Sequence, residues 1–146
     1  LLKEKDLTIT TAESCTGGLL AGKIINVSGA SDVYKEGFVT YSDEAKMKDL
    51  GVSKETLDQY SAVSSQCAEE MARGAAKAAG ADVAVVTTGI AGPEGGSEEN
   101  PVGTVYIGVY YDGKTVVKRY SFGNNRQMVR DAACVRALDM VRRAII

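Results

Sequence analysis

Leu7-Thr8-Ile9-Thr10-Thr11-Ala12-Glu13-Ser14-Cys15-Thr16-Gly17-Gly18-Leu19-Leu20 is the stretch on which the fold turns. Residues 7–11 are a short β-rich run, and the serine and glycines that follow make a tight turn. Leu19, Leu20, Ile24 and Ile25 then form a helical stripe that runs to about Asn26. Strand, tight turn and helix in that order open an α/β protein. Ahead of this unit, residues 1–5 read as the end of a helix. Beyond it, residues 36–41 read as a second strand. Ser42 is an N-cap, with Asp43 and Glu44 suitably acidic for a first turn, and that helix ends near Gly51. A short helix follows from Ser53, and a longer one runs from about Ser64 to Ala79, closed by Gly80.

Residues 82–88 are an apolar run of buried-strand type, emptying into a glycine-rich loop that reaches Pro101. Strands 103–111 and 114–122 are joined through Asp112-Gly113, a strong hairpin signal. The last helix starts near Asn124 or Asn125 and carries Val129, Ala133, Ala137, Val141 and Ile145 on its inner face. Helices alternating with strands, plus one hairpin, predict a mixed sheet covered by helices on both faces, in a single domain over 1–146.

Composition narrows the chemistry. The 146 residues include no histidine, which removes Ser-His-Asp and Cys-His nucleophile systems. A zinc site would have to be built from cysteines and carboxylates alone, and no metal and no cofactor are expected. An enzyme of this composition moves protons with Lys, Tyr, Asp or Glu, unless a partner chain supplies an imidazole. Hydrophobic and charged contents of 45% and 25% are those of a soluble globular protein. Cys15, Cys67 and Cys134 are far apart and lack C-x-x-C spacing, which argues for a reducing, cytoplasmic setting over a disulfide frame. No signal-peptide pattern and no apolar stretch of the ~18 residues needed to cross a membrane are present, so no membrane association is expected. The chain opens on Leu1 rather than Met, and an N-terminal domain of the same chain is among the expected partners.

The net charge of −2 is unevenly distributed. Residues 1–113 hold 9 basic and 17 acidic side chains, a net of −8, whereas residues 114–146 hold 8 basic and 2 acidic, a net of +6. The terminal arginines are interrupted by apolar positions and the pI is about 5.2. A solvated helix face or an anion site is therefore expected, and nucleic acid is not.

Four places carry candidate chemistry. Ser14 stands at the end of a strand before a helix, the edge where α/β proteins bind ligands. Gly17 and Gly18 beside it allow close backbone approach, and helix-start N–H groups favour an anion or an oxyanion. The plainer alternative is that Ser14 or Thr16 caps the helix. Cys15 next to it is either a thiolate lowered by the helix start or a small buried hydrophobe. Tyr41 and Lys46 occupy the N′ and N4 positions around the Ser42 cap, which predicts a phenol and an ammonium side by side. Burial there would lower the lysine pKa from ~10.4 towards that of a usable base. Alternatively, a solvent-facing Lys46 lies over the Tyr41 ring. Thr88 and Gly89 form a third strand end, suited to hydrogen-bonding a ligand or to ending the strand. Glu94, Glu98 and Glu99 in the loop beyond read as solvated. Arg126 falls in the first turn of the last helix, where it opposes the dipole and wants an anion. These features leave two readings open, a Ser–Lys–Tyr acyl-transfer site or a nucleotide-binding cleft.

The strings Ala12-Glu13-Ser14-Cys15-Thr16-Gly17-Gly18, Gly37-Phe38-Val39-Thr40-Tyr41-Ser42 with Glu44-Ala45-Lys46, Thr88-Gly89-Ile90-Ala91-Gly92-Pro93 and Pro101-Val102-Gly103-Thr104-Val105 resemble the CinA C-terminal domain family. The likeness runs through residues 5–145 with the motifs in order. It implies a three-layer α/β/α sandwich with a mixed, largely parallel sheet. It also implies nicotinamide mononucleotide deamidation, with Ser14 as nucleophile and Lys46 and Tyr41 as its catalytic partners. Thr16, Gly17, Gly18, Thr88, Gly89 and Arg126 become the expected substrate contacts. The expected partners are a small-molecule nucleotide and a second copy of the chain, a dimer being favoured. The competing expectation is a non-catalytic nucleotide-sensing or docking module of a larger CinA-type protein.

Overall fold

In the central strand, successive residues face opposite layers. Within β3 (Val83–Gly89), Val83 and Val85 belong to one hydrophobic cluster and Ala84 and Val86 to another. That is the period of two expected of a strand covered on both faces. The computed structural model describes residues 1–146. β1 (Ile9–Glu13) lies between β3 and β2 (Tyr34–Val39), parallel to both. On the other side of β3 follow β4 (Thr104–Tyr111) and β5 (Lys114–Ser121), each antiparallel to its neighbour. The order is β2-β1-β3-β4-β5.

The two clusters define the helical layers. α1 (Leu19–Ile25) and α5 (Arg126–Ile145) send Leu20, Val129, Ala133, Ala137, Val141 and Ile145 onto one face. α2 (Asp43–Leu50), α3 (Lys54–Tyr60) and α4 (Ser65–Ala79) close the other with Leu50, Leu57 and the small inner stripe of α4. The expected mixed sheet with helices on both faces is what the chain forms, and the five predicted inner residues of α5 are all buried. Asp112 and Gly113 both take positive φ, 52° and 75°, as a two-residue hairpin turn requires.

Three boundaries differ from expectation. Residues 1–5 form overlapping turns, with Lys5 N–H on Leu1 O and Leu2 O, and Asp6 at φ 54° ends them before a helix can propagate. β1 begins two residues late and ends at Glu13, because Thr8 N–H and Oγ1 both donate to the Asp82 carboxylate outside the ladder. β2 ends at Val39, leaving residues 40–42 to turn into the Ser42 cap, whose Oγ accepts Ala45 N–H at 3.1 Å.

Parallel strands end at one edge. Glu13 pairs with Val39 on one side and Thr87 on the other. Ser14 and Thr40 therefore leave the sheet side by side, next to Thr88 near the end of β3, and Thr40 N–H on Glu13 O and Ser14 N–H on Thr87 O carry the ladder one step further. This convergence of three chain segments positions the candidate site.

Close packing of α4 against the end of α2 depends on Gly74. A Cβ there would lie 1.8 Å from Leu50 O. In an open helix, Gly→Ala stabilises by ~1 kcal/mol; overpacking of a tight contact costs about 1–3 kcal/mol or more. The clash is against backbone, so it outweighs propensity. Gly74→Ala is expected to lower unfolding free energy in urea by about 2 kcal/mol, and a gain in stability would refute the contact.

Candidate active site

Strand alternation sends Glu13 and Ser14 to opposite faces. Glu13 is fully buried, and its carboxylate accepts Leu20 N–H at 2.8 Å and Ala21 N–H at 3.1 Å, the first turn of α1. The N-cap of α1 is Gly18 at φ 102°, which offers no side chain. Glu13 performs the capping that the sequence reading offered to Ser14 or Thr16. Two of the helix-start amides expected to cradle an anion thus already hold one. Thr16 Oγ1 lies 2.8 Å from Thr87 Oγ1, and both residues are fully buried, so the Thr16 hydroxyl braces the turn against β3. Gly17 N–H donates to Ser14 O at 3.0 Å. The amides of Cys15, Thr16 and Gly18 donate to no backbone carbonyl.

Ser14, freed from capping, faces α2. Lys46 is 1% exposed, and its Nζ lies 3.2 Å from Ser14 Oγ and 2.8 Å from Thr40 O. No carboxylate forms an ion pair with it. Burial pushes the Lys46 pKa below its ordinary 10.5, because desolvation disfavours the ammonium. Tyr41 and Lys46, expected side by side, each hydrogen-bond to other partners. Lys46 turns inward to the Thr40 carbonyl, the nearest strong acceptor for a buried amine. Tyr41 is 63% exposed, and its hydroxyl lies 3.4 Å from Arg126 Nη2.

Arg126 is the first residue of α5, behind the Asn125 cap whose Oδ1 accepts Met128 N–H at 3.0 Å. Its Nη1 donates to Gly92 O at 2.7 Å, so Arg126 links the glycine-rich loop to Tyr41 at the mouth of the site. Thr88 is buried, and its hydroxyl donates to Ala62 O at 2.8 Å, fixing the approach to α4. Gly89 is demanded by packing, since a Cβ would stand 2.6 Å from Thr104 O. Burial raises the Cys15 thiol pKa to about 11, which fits packing rather than nucleophilic use. Glu94, Glu98 and Glu99 are exposed, and no three acidic or cysteine side chains converge to hold a metal.

Two residues of the site escaped the sequence reading. Glu13 was hidden because a lone acidic residue in a β-run signals nothing by periodicity. Arg130 donates from Nε to Cys15 O and from Nη2 to Thr16 O, both at 3.0 Å. Its position four residues after Arg126, on the same helix face, was the available signal.

The comparisons with known proteins come to one family. The CinA C-terminal domain matches residues 1–145. A CinA-like protein of Kosmotoga olearia is 56% identical over all 146 residues, which span 35% of that relative. A relative from Clostridium botulinum is 54% identical over 98% of the chain, again 35% of its own length. The chain thus spans about a third of the curated relatives it matches. A CinA superfamily crystal structure from Escherichia coli superposes at a TM-score of 0.95 with 41% identity, covering 99% of this chain and 84% of that one. A competence/damage inducible protein of Agrobacterium tumefaciens gives 0.94 and 44%, covering 96% and 86%. No helix is long and apolar enough to cross a membrane.

The Glu13 cap is open to test. In Glu13→Gln a side-chain NH2 faces one of the two buried amide donors, and an unsatisfied buried donor costs ~1–3 kcal/mol. The variant is expected to lose about that much stability in chemical denaturation. Wild-type stability would contradict the cap.

Proposed function

The chain belongs to the CinA C-terminal domain family, and we propose that it is an amidohydrolase that deamidates nicotinamide mononucleotide to nicotinate mononucleotide and ammonia. The observation that carries this reading is the buried Lys46 amine 3.2 Å from Ser14 Oγ, in an ion pair with no carboxylate. A lysine in that setting has the lowered pKa of a general base.

The steps follow from the donors present. Neutral Lys46 gives one N–H to Thr40 O, which leaves its lone pair towards Ser14. As Ser14 Oγ bonds to the carboxamide carbon, its proton passes to Lys46 Nζ and the carbonyl oxygen becomes an oxyanion. Free amides among Cys15, Thr16 and Gly18 are the donors available to it. The C–N bond then breaks, the Lys46 proton goes to the leaving nitrogen, and ammonia departs from an acyl-serine. Water, deprotonated by the same lysine, attacks the acyl carbon; the bond from that carbon to Ser14 Oγ breaks, Lys46 returns its proton to Oγ, and the acid product loses its own proton to solvent as the carboxylate. Tyr41, held by Arg126 at the mouth, borders the entering nucleotide, and the Arg126 charge suits its phosphate. The proposed setting is cytoplasmic, where the three free cysteines stay reduced.

Ammonia release from nicotinamide mononucleotide tests the whole reading. Ser14→Ala and Lys46→Met are each expected to reduce turnover about a thousandfold or more. Saturable nucleotide binding without turnover in the wild-type chain would favour a sensing module instead. A protonated Lys46 cannot accept the serine proton. kcat/KM should therefore rise with pH through the lowered Lys46 pKa and level off before the ordinary 10.5. A profile flat in that range would remove Lys46 from the base role.

A further inference from the structure

Arg130 stands apart from the machinery above, yet touches the nucleophile turn more firmly than any other side chain of α5. One planar guanidinium spans two consecutive carbonyls, Nε on Cys15 O and Nη2 on Thr16 O, across 115 and 114 residues of sequence. It forms no ion pair with any carboxylate. The turn it grips is otherwise permissive, because Gly17 and Gly18 both take positive φ, 56° and 102°. A Cβ on Gly17 would stand 3.6 Å from Arg130 Nη2, so the guanidinium lies in contact with the backbone itself.

Peptide geometry converts that grip into an orientation. In a trans peptide the C=O of one residue and the N–H of the next point in opposite directions. Drawing Cys15 O towards α5 turns Thr16 N–H away from α5, towards the face where Ser14 Oγ and Lys46 lie. The neighbouring plane behaves differently, since Gly17 N–H is already engaged by Ser14 O. Thr16 N–H has no acceptor in the chain. A cation on the carbonyl end of the same peptide also polarises its N–H and strengthens it as a donor.

We propose that Arg130 is a positioning residue that fixes and polarises the Cys15–Thr16 peptide so that Thr16 N–H receives the oxyanion formed on attack by Ser14. This rests on the reading of Ser14 as nucleophile. The fork is essential: lysine supplies the charge but can hold only one carbonyl with comparable geometry.

The test compares reaction with ground-state binding in the full chain. Arg130→Met is expected to lower kcat for nicotinamide mononucleotide by about 10- to 100-fold, below the 10²–10³ cost of deleting an oxyanion donor outright. KM and the affinity for nicotinate mononucleotide should stay within about twofold. Inhibition by pyridine-3-boronic acid, which forms a tetrahedral adduct on serine, should weaken by the same factor as kcat. Arg130→Lys should fall between, and it carries the same comparison if the methionine variant does not fold. Wild-type kcat in either variant overturns the assignment. So do equal losses in kcat and product affinity, or unchanged boronate inhibition beside reduced kcat. Ser14→Ala decides the underlying reading separately. If it keeps turnover, the nucleophile is wrong. If it is inactive while Arg130→Met is normal, only the role of Arg130 falls.

Discussion

Lys46 reaches 1% exposure with a carbonyl and a hydroxyl as its only hydrogen-bond partners. Transferring an unpaired ammonium into such a place costs several kcal/mol, and the group answers by favouring its neutral form. The rest of the structure is arranged around that constraint. Thr40 O must point inward, which requires β2 to end at Val39 and the chain to turn before the Ser42 cap. α2 must start at that cap, so that the fourth residue of its helix reaches back over the sheet edge. No carboxylate forms an ion pair with Nζ to satisfy the charge. The acidic residue nearest in sequence to the serine, Glu13, is accordingly turned to the other face.

That separation of Glu13 and Ser14 comes from nothing more than strand alternation. One residue caps α1 and fixes the turn; its neighbour meets the lysine. Had the pairing of β1 slipped by one residue, the carboxylate would have faced the amine. The register of β1 between its two parallel neighbours therefore carries chemical as well as structural information. Thr16 and Thr87 reinforce it from the α1 side, and Thr88 does so from the α4 side through Ala62.

Much of this was legible before any coordinates. Strand, turn and helix were readable from Leu7 to Ile25, because glycine turns and 3.6-residue spacing are local signals. The Asp112-Gly113 hairpin, the Ser42 cap, a last-helix start near Asn124 or Asn125 and the inner face of α5 were legible for the same reason. Ser14, Tyr41, Lys46 and Arg126 were found as strand-end or helix-start positions, and the fold does gather those segments at one edge. What stayed hidden depends on partners distant in sequence. Helix-start geometry places Tyr41 and Lys46 near one another, but not their partners: the amine takes the Thr40 carbonyl and the phenol takes Arg126. At Thr88 and Gly89 the strand end is legible, but not the Ala62 carbonyl that takes the hydroxyl nor the closeness of β4 to the glycine. Glu13 and Arg130 were unreadable because each acts on backbone groups, and backbone groups leave no trace in side-chain pattern.

The hydrogen bonds that hold the turn after Ser14 span 71 residues from Thr16 to Thr87 and 115 from Cys15 to Arg130. Segments that far apart meet only after long loops have closed, a step that is entropically costly and late in folding. The serine can be synthesised, and its own strand and helix can form, well before its environment exists. The surroundings of Ser14 are then a property of the completed fold: until α5 docks, the Cys15 and Thr16 carbonyls lack Arg130 and the turn after β1 is without its longest-range tie.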